Sequence, residues 1–176
     1  MPVRFLDALR WRLPARDWFP WALLAGLGTL VVLLILFVQS AREQAERERQ
    51  LRCLALNVYH EARGESRAGQ LAVAQITLNR VASPRFPDDV CAVVFEKRWD
   101  RLRHRNVAAF SWTELAPDTD LASPAWRRSL AVARAALAGQ GDPRLEGALF
   151  YHARHVRPSW ARHRRPLARI GRHLFY

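Results

Sequence analysis

The sequence predicts an α+β chain: one N-terminal transmembrane helix, then a compact, mainly helical domain closed by a small C-terminal antiparallel sheet. Three observations carry this expectation. Residues 18–38, WFPWALLAGLGTLVVLLILFV, run for 21 positions without a charge. Several segments between Leu51 and Ala138 repeat apolar residues at spacings of three and four, the period of a helix with one buried face. Beyond Gly147 that period is lost, and short apolar runs between turn residues read as strands.

Taken in order, residues 1–17 form a short basic arm, expected on the cytoplasmic side. At about 1.5 Å per residue the helix over 18–38 spans roughly 31 Å, close to a hydrocarbon core of about 30 Å. Trp18 and Trp21 stand at one end, where amphipathic rings prefer the headgroup level. A cleaved signal peptide or a buried core helix is the plainer alternative. The run is long for a signal core, and no small-x-small cleavage site stands before Ala41. Arg4, Arg10, Arg12 and Arg16 precede the span, and Arg42, Arg47, Arg49 and Arg52 follow it, so cation count alone leaves orientation undecided. Residues 39–50 read as a charged helical stalk, and the domain occupies residues 51–176.

Within the domain, LRCLALNVYHEA predicts a helix with Leu51, Leu54, Val58 and Ala62 on one face and Gly64 placed to end it. Residues 68–82 predict a second, largely buried helix. Leu71, Ala74, Leu78 and Val81 form its stripe, with Val73, Ile76 and Thr77 beside it. Two prolines in SPRFPDD break the chain, and DDVCAVVFEKR reads as a short third helix with acids first and cations last. Residues 99–122 read as an aromatic, charge-mixed loop. Ser123 as N-cap, Pro124 in the first turn and Gly139 as the stop bracket a fourth helix. Strands are expected over 147–153 and 167–176, separated by RHVRPSWARHRRP.

The formal net charge is +12, and Lys97 is the only lysine. From Gly147 onward no acid occurs, while Arg154, Arg157, Arg162, Arg164, Arg165, Arg169 and Arg172 accumulate. Such a surface suits an anionic wall polymer, anionic lipid or nucleic acid. No helix-turn-helix, zinc or RNA-binding signature supports the last, so no nucleic-acid partner is expected. The two cysteines, Cys53 and Cys91, both follow the apolar span. A bridge between them would close a loop of about 38 residues, worth on the order of 4 kcal/mol in the chain-entropy model. It would suit a domain on an oxidising face of a membrane, although two unrelated buried thiols are the alternative.

The chemistry centres on LNVYHEARGES, where Glu61 and Glu65 flank Gly64. Glu61 falls in the last turn of a predicted helix, where the negative end of the macrodipole disfavours a carboxylate. Shielding by Tyr59, Phe110 or Trp112 would push the same way. A carboxyl that stays protonated is what glycosidic cleavage needs, because the leaving oxygen must receive a proton. Glu65, past the turn, would ionise more readily and act as a helper. The plainer alternative pairs both acids with Arg63, Arg67 or Arg80 on the surface. Zinc is a third possibility through His60 with His152 or His155, but the H-E-x-x-H spacing is absent and no metal is expected.

The run ALNVYHEARGESRAGQLAVAQITLNRVASPRFPDDVCAVVFE, with FSW, YHARHVRPSWA and RIGRHLFY, resembles the SleB/CwlJ-type cell-wall hydrolase family, that of the spore-cortex-lytic enzymes. The resemblance extends over residues 51–176. It implies a lysozyme-like fold and cleavage of peptidoglycan between N-acetylmuramic acid and N-acetylglucosamine, with no cofactor. It implies that Glu61, the first glutamate of E-A-R-G-E, is the essential acid of a lytic transglycosylase or muramidase. A zinc-dependent N-acetylmuramoyl-L-alanine amidase, or a non-catalytic peptidoglycan-binding module, is the alternative. Unlike the spore enzymes, this chain carries an apolar span, a cysteine pair, and Leu149 two residues before Tyr151.

Around Glu61 the expected substrate-binding residues are Glu65, Asn79, Ser111, Trp112 and Tyr151. Asn79 could instead finish the second helix, and Trp112 could instead belong to the core. On a strand either Tyr151 or His152 faces the cleft, and Tyr151 is the choice. The expected partners are peptidoglycan, the inner membrane through residues 18–38, and an anionic wall or lipid surface through the C-terminal arginines. Single-pass anchoring with the catalytic domain in the periplasm follows as the expected location.

Overall fold

The computed structural model describes residues 19–101 and 104–176, with side chains from residue 21 onward. The basic arm over 1–17 and Trp18 lie outside the described residues. The chain divides into two units, residues 1–45 and 46–176.

In the first unit, the leading part of helix α1 (Phe19–Ala62) is apolar and exposed along its length, with Leu24, Leu27, Leu34 and Phe37 all facing outward. By length and composition this segment is long and apolar enough to cross a membrane. The residues read as a helical stalk continue the same helix.

The second unit is a mainly helical domain with two small antiparallel sheets. Its first helical stretch, the end of α1, buries Leu51, Leu54, Val58 and Ala62 as their spacing predicts, and adds Ala55 and Tyr59. Helix α2 (Arg67–Val81) starts after Ser66, whose side chain accepts from the Gly69 amide. Its buried face is broader than the predicted stripe and centres on Val73, Ile76 and Thr77, with Leu71, Leu78 and Val81 at the margin. The short helix α3 (Val90–Val94) is capped by Asp89, which accepts from the Ala92 amide at 2.8 Å and from Arg49 Nη2 at 2.6 Å. Cys53 and Cys91 are bridged, with Cα atoms 5.2 Å apart, tying the end of α1 to α3.

Two expectations about local structure fail. The third helix stops at Val94, and its predicted tail joins a hairpin of β1 (Lys97–Asp100) and β2 (Arg105–Ala108), running through what reads as loop. No glycine or proline marks that turn, and the strands are mostly exposed, so neither turn residues nor buried alternation reveals them. The second failure concerns residues 167–176, which form two strands rather than one. Strands β4 (Ala168–Ile170) and β5 (His173–Phe175) pair Ile170 with His173, leaving a two-residue turn at Gly171 and Arg172. Gly171 supplies the positive φ, +56°, that such a turn requires.

A short helix α4 (Trp112–Leu115) and the predicted α5 (Pro124–Leu137) complete the helical part. In α5, Ser123 accepts from the Trp126 amide at 3.0 Å, and Gly139 follows at φ +86°. Strand β3 (Tyr151–Ala153) pairs with β5, so β5 is the centre of a three-stranded sheet. One face of this sheet puts Phe175, Ala168 and Ile170 onto Ala72 and Ile76 of α2, with Tyr151 at the edge of the cluster. That packing fixes the site.

Candidate functional site

Glu61, in the last turn of α1, meets Tyr151 of β3. The Tyr151 hydroxyl donates to Glu61 Oε2 at 3.0 Å. Burial raises the Glu61 carboxyl above the ordinary carboxylate range, against the Tyr151 bond and the Arg80 charge, which both pull it down. Among the described residues Glu61 makes no ion pair. Burial, with Glu61 adding to it, pushes the Tyr151 hydroxyl well above its usual value, so it stays a donor. The expected shields have contacts of their own. Tyr59 packs edge-on to Trp126 at 6.1 Å, and Phe110 lies under the Arg80 guanidinium at 5.2 Å.

Tyr151 lines a groove of about 490 Å³, together with Arg80, Phe86, Glu96, Trp99 and Trp160. Arg80 is a buried cation. Its Nε donates to the Leu149 carbonyl at 2.9 Å, and its guanidinium lies against Phe86, Phe110 and Phe150 at 5.2–5.8 Å. Burial lowers its proton affinity, yet it remains a cation close enough to bias Glu61. Glu96 is a second carboxylate at the groove, held by Arg98 Nε at 2.6 Å. Exposed Trp99 and Trp160 offer flat apolar faces of the kind that pack on sugar rings.

The other sequence candidates hold the frame around this groove. Glu65 is 5% exposed at its side chain and accepts from Arg172 Nε at 2.5 Å and from the Arg172 amide at 3.2 Å. Burial would raise its carboxyl, but the Arg172 bonds prevail and hold it below the usual range. Gly64 does not end α1 through a positive φ. A Cβ there would sit 3.1 Å from Arg172 Nη2, so this glycine admits the arginine. Asn79 donates to the Leu145 and Ala148 carbonyls at 2.7 and 2.9 Å, which commits its amide hydrogens to the chain before β3. Trp112 stacks on His60 at 4.5 Å and donates to Asn57 Oδ1 at 3.1 Å. Asn57 in turn donates to Thr77 at 3.0 Å. Ser111 is exposed, and its side chain caps nothing.

Sequence reasoning missed Arg80, Glu96, Trp99 and Trp160 as groove residues. For Arg80 a signal existed: it falls on the same α2 face as Val73, Ile76 and Thr77, and a charge on a buried face calls for a function or a partner. Among the described residues no group of three or more His, Cys, Asp or Glu side chains is placed to hold a metal. His60 Nε2 is bonded to Thr119 Oγ1 at 2.8 Å, and His152 Nε2 to the Tyr176 hydroxyl at 3.0 Å.

A desolvated carboxyl bonded to a neutral donor, Tyr151, that itself lines an aromatic groove is an arrangement suited to general-acid chemistry. The profile of the Cell Wall Hydrolase family matches residues 64–176, and the chain belongs to that family. The match begins three residues after Glu61, so the role of that acid rests on its geometry. A spore cortex-lytic enzyme of Halalkalibacterium halodurans is 34% identical over 73% of this chain and 34% of its own length. That of Bacillus subtilis is 33% identical over 71% of this chain and 36% of its own length. The chain thus spans about a third of these curated relatives. Among solved structures, the catalytic domain of the germination-specific lytic transglycosylase SleB from Bacillus anthracis has a TM-score of 0.55 at 30% identity. It covers 72% of this chain and 92% of the solved one. The SleB catalytic domain of Bacillus cereus has a TM-score of 0.53 at 30% identity, covering 73% and 89%.

Proposed function

We propose that this chain cleaves the glycan strands of peptidoglycan as a lytic transglycosylase, with Glu61 as its single general acid and base. The observation that carries this reading is the Tyr151 bond to a buried Glu61 that has no ion-pair partner among the described residues. With Tyr151 donating to Oε2, a proton on the carboxyl belongs on Oε1. Oε1 passes that proton to the glycosidic oxygen as the C1–O bond breaks, and the bonding pair leaves with the departing N-acetylglucosamine. The resulting carboxylate, favoured at that moment by Tyr151 and Arg80, takes the proton of the muramyl 6-hydroxyl. Oxygen 6 then bonds to C1, giving a 1,6-anhydro end and returning Glu61 to its acid form.

A muramidase in which water replaces the 6-hydroxyl is the second reading, favoured by Glu96 at the same groove. Digestion of purified sacculi with fragment masses separates the two. Anhydro-muramyl ends are expected; reducing ends would favour the muramidase; free stem peptides would point to an amidase. Retention of full glycan cleavage by Glu61→Gln would remove the acid from the mechanism.

The proposal extends to location. Residues 18–38 anchor the chain in the inner membrane with the domain in the periplasm, a placement supported by the apolar exposed helix and the Cys53–Cys91 bridge. Resistance of the protein to alkaline extraction, with the domain digestible from the periplasmic side only, is the expected result.

A further inference from the structure

Behind the groove wall lies a second cavity, of about 330 Å³, lined by His152, Arg154, Arg157, Arg162 and Tyr176 among others. The register places it on the far face of the C-terminal sheet. Tyr151 opposite Phe175 faces the core, so His152 opposite Leu174 faces outward. Trp160 links the two spaces: it lines the groove and packs on His152 and Tyr176, which line the cavity. Its ring packs on Phe150 at 5.6 Å, on His152 at 5.6 Å and on Tyr176 at 5.3 Å. It lines the groove, while its neighbours Ala161 and Arg162 line the cavity.

Three exposed guanidinium groups converge there without an acid to match them. The chain from Gly147 to Tyr176 contains no Asp or Glu, and among the described residues none of the three arginines enters an ion pair with a side chain. A concave cluster of guanidinium forks selects an oxyanion that can accept several hydrogen bonds at once, while His152 and Tyr176, bonded to each other at 3.0 Å, form its aromatic wall. Electrostatic repulsion among the arginines is relieved when such an anion enters. A surface made only for solubility would scatter its charges rather than gather one sign around a cavity.

We infer that this cavity binds the carboxylates of a peptidoglycan stem peptide while the sugar that bears the peptide lies in the groove across Trp160. The inference rests on the proposed glycan substrate and deepens it. A muramyl residue carries its peptide on a side branch, so a strand seated along Tyr151 and Trp160 must send that branch out of the groove. The branch is anionic, and the cavity is the adjoining cationic space. Specificity then has two parts: aromatic faces for the sugar, and arginines for the branch.

The test uses the full-length protein in detergent and the variant Arg154→Gln/Arg157→Gln/Arg162→Gln, whose altered side chains are exposed. Calorimetric titration with free stem tetrapeptide, and with the same peptide carrying amidated carboxylates, reads the site without any turnover. Wild type is expected to bind the free peptide at least tenfold more tightly than either the amidated peptide or the variant does. On sacculi, the variant should lose about tenfold in kcat/KM, while on strands stripped of peptide it should match wild type. No peptide binding by wild type, or equal binding by the variant, would overturn the inference. So would loss confined to phosphatidylglycerol vesicles, which would assign the arginines to lipid. If wild type binds the tetrapeptide but cuts no glycan, the catalytic reading fails and the peptide site stands.

Discussion

The two glutamates that flank the turn between α1 and α2 are four residues apart and experience opposite environments. Glu61 meets a neutral hydroxyl from β3, and burial raises its proton affinity. Glu65 meets both the backbone amide and the guanidinium of Arg172 at the β4–β5 turn, and burial cannot prevent its ionisation. The same C-terminal sheet supplies both partners. What separates a carboxyl with raised proton affinity from a structural clamp here is the chemistry of the group opposite, a donor without charge against a donor with one. The clamp also bears on Glu61. By fixing the sheet's turn against the end of α1, it sets where Tyr151 stands relative to Glu61.

On the proposed mechanism, breaking the Glu61 half should give the largest effect. Glu61→Gln keeps the hydrogen-bond geometry and removes the transferable proton, so glycan cleavage should fall about 10²- to 10⁴-fold with an unchanged fold. Breaking the clamp should cost stability instead. Gly171→Ala forces a Cβ into Glu65 Oε2 at a positive φ, and should lower unfolding free energy by about 1–3 kcal/mol in denaturant titration. Tyr151→Phe should be milder, slowing cleavage about tenfold or less. Because the Tyr151 bond lowers the Glu61 proton affinity, its loss should move the alkaline limb of the pH–rate profile upward. A downward shift would contradict that assignment.

The finest distinction is in the pH dependence of stability. Glu61 has its folded pKa raised. From about pH 4.3, the ordinary glutamate value, up through the raised one, the native chain holds a proton the unfolded chain has lost, so this group's contribution falls as pH rises. Glu61→Gln should therefore gain on wild type between acidic and neutral pH. Glu65 has its folded pKa lowered. Its contribution is complete above about pH 4.3 and is lost as pH falls through the lowered value, so the deficit of Glu65→Gln should shrink in acid. Slopes of the same sign for the two variants would dissolve the contrast.

Much of this was legible in the residues. The helical spacing of Leu51, Leu54 and Val58, the Ser123–Pro124 start and the Gly139 stop each reflect a local rule, and local rules can be read from one chain. The asymmetry between Glu61 and Glu65 was readable too, although its cause was only half visible. The macrodipole is encoded nearby, whereas Tyr151 and Arg172 arrive from 90 and 107 residues away. Trp112 and Asn79 read either as sugar contacts or as structural residues, because an indole or an amide suits both. The partners that decide, Asn57 and the Leu145 and Ala148 carbonyls, come into reach only through tertiary packing. Trp99 was hidden in a hairpin with no turn residue to announce it.

The reach of the Tyr151–Glu61 bond has a consequence for the timing of activity. During synthesis the helix end bearing Glu61 emerges long before β3 exists, so a nascent or prematurely terminated chain carries the acid without its hydroxyl or the groove beside it. On the proposed mechanism such a chain cannot yet cut glycan. Loss of the chain from β3 onward would remove the same hydroxyl, while the cystine between α1 and α3 stays intact.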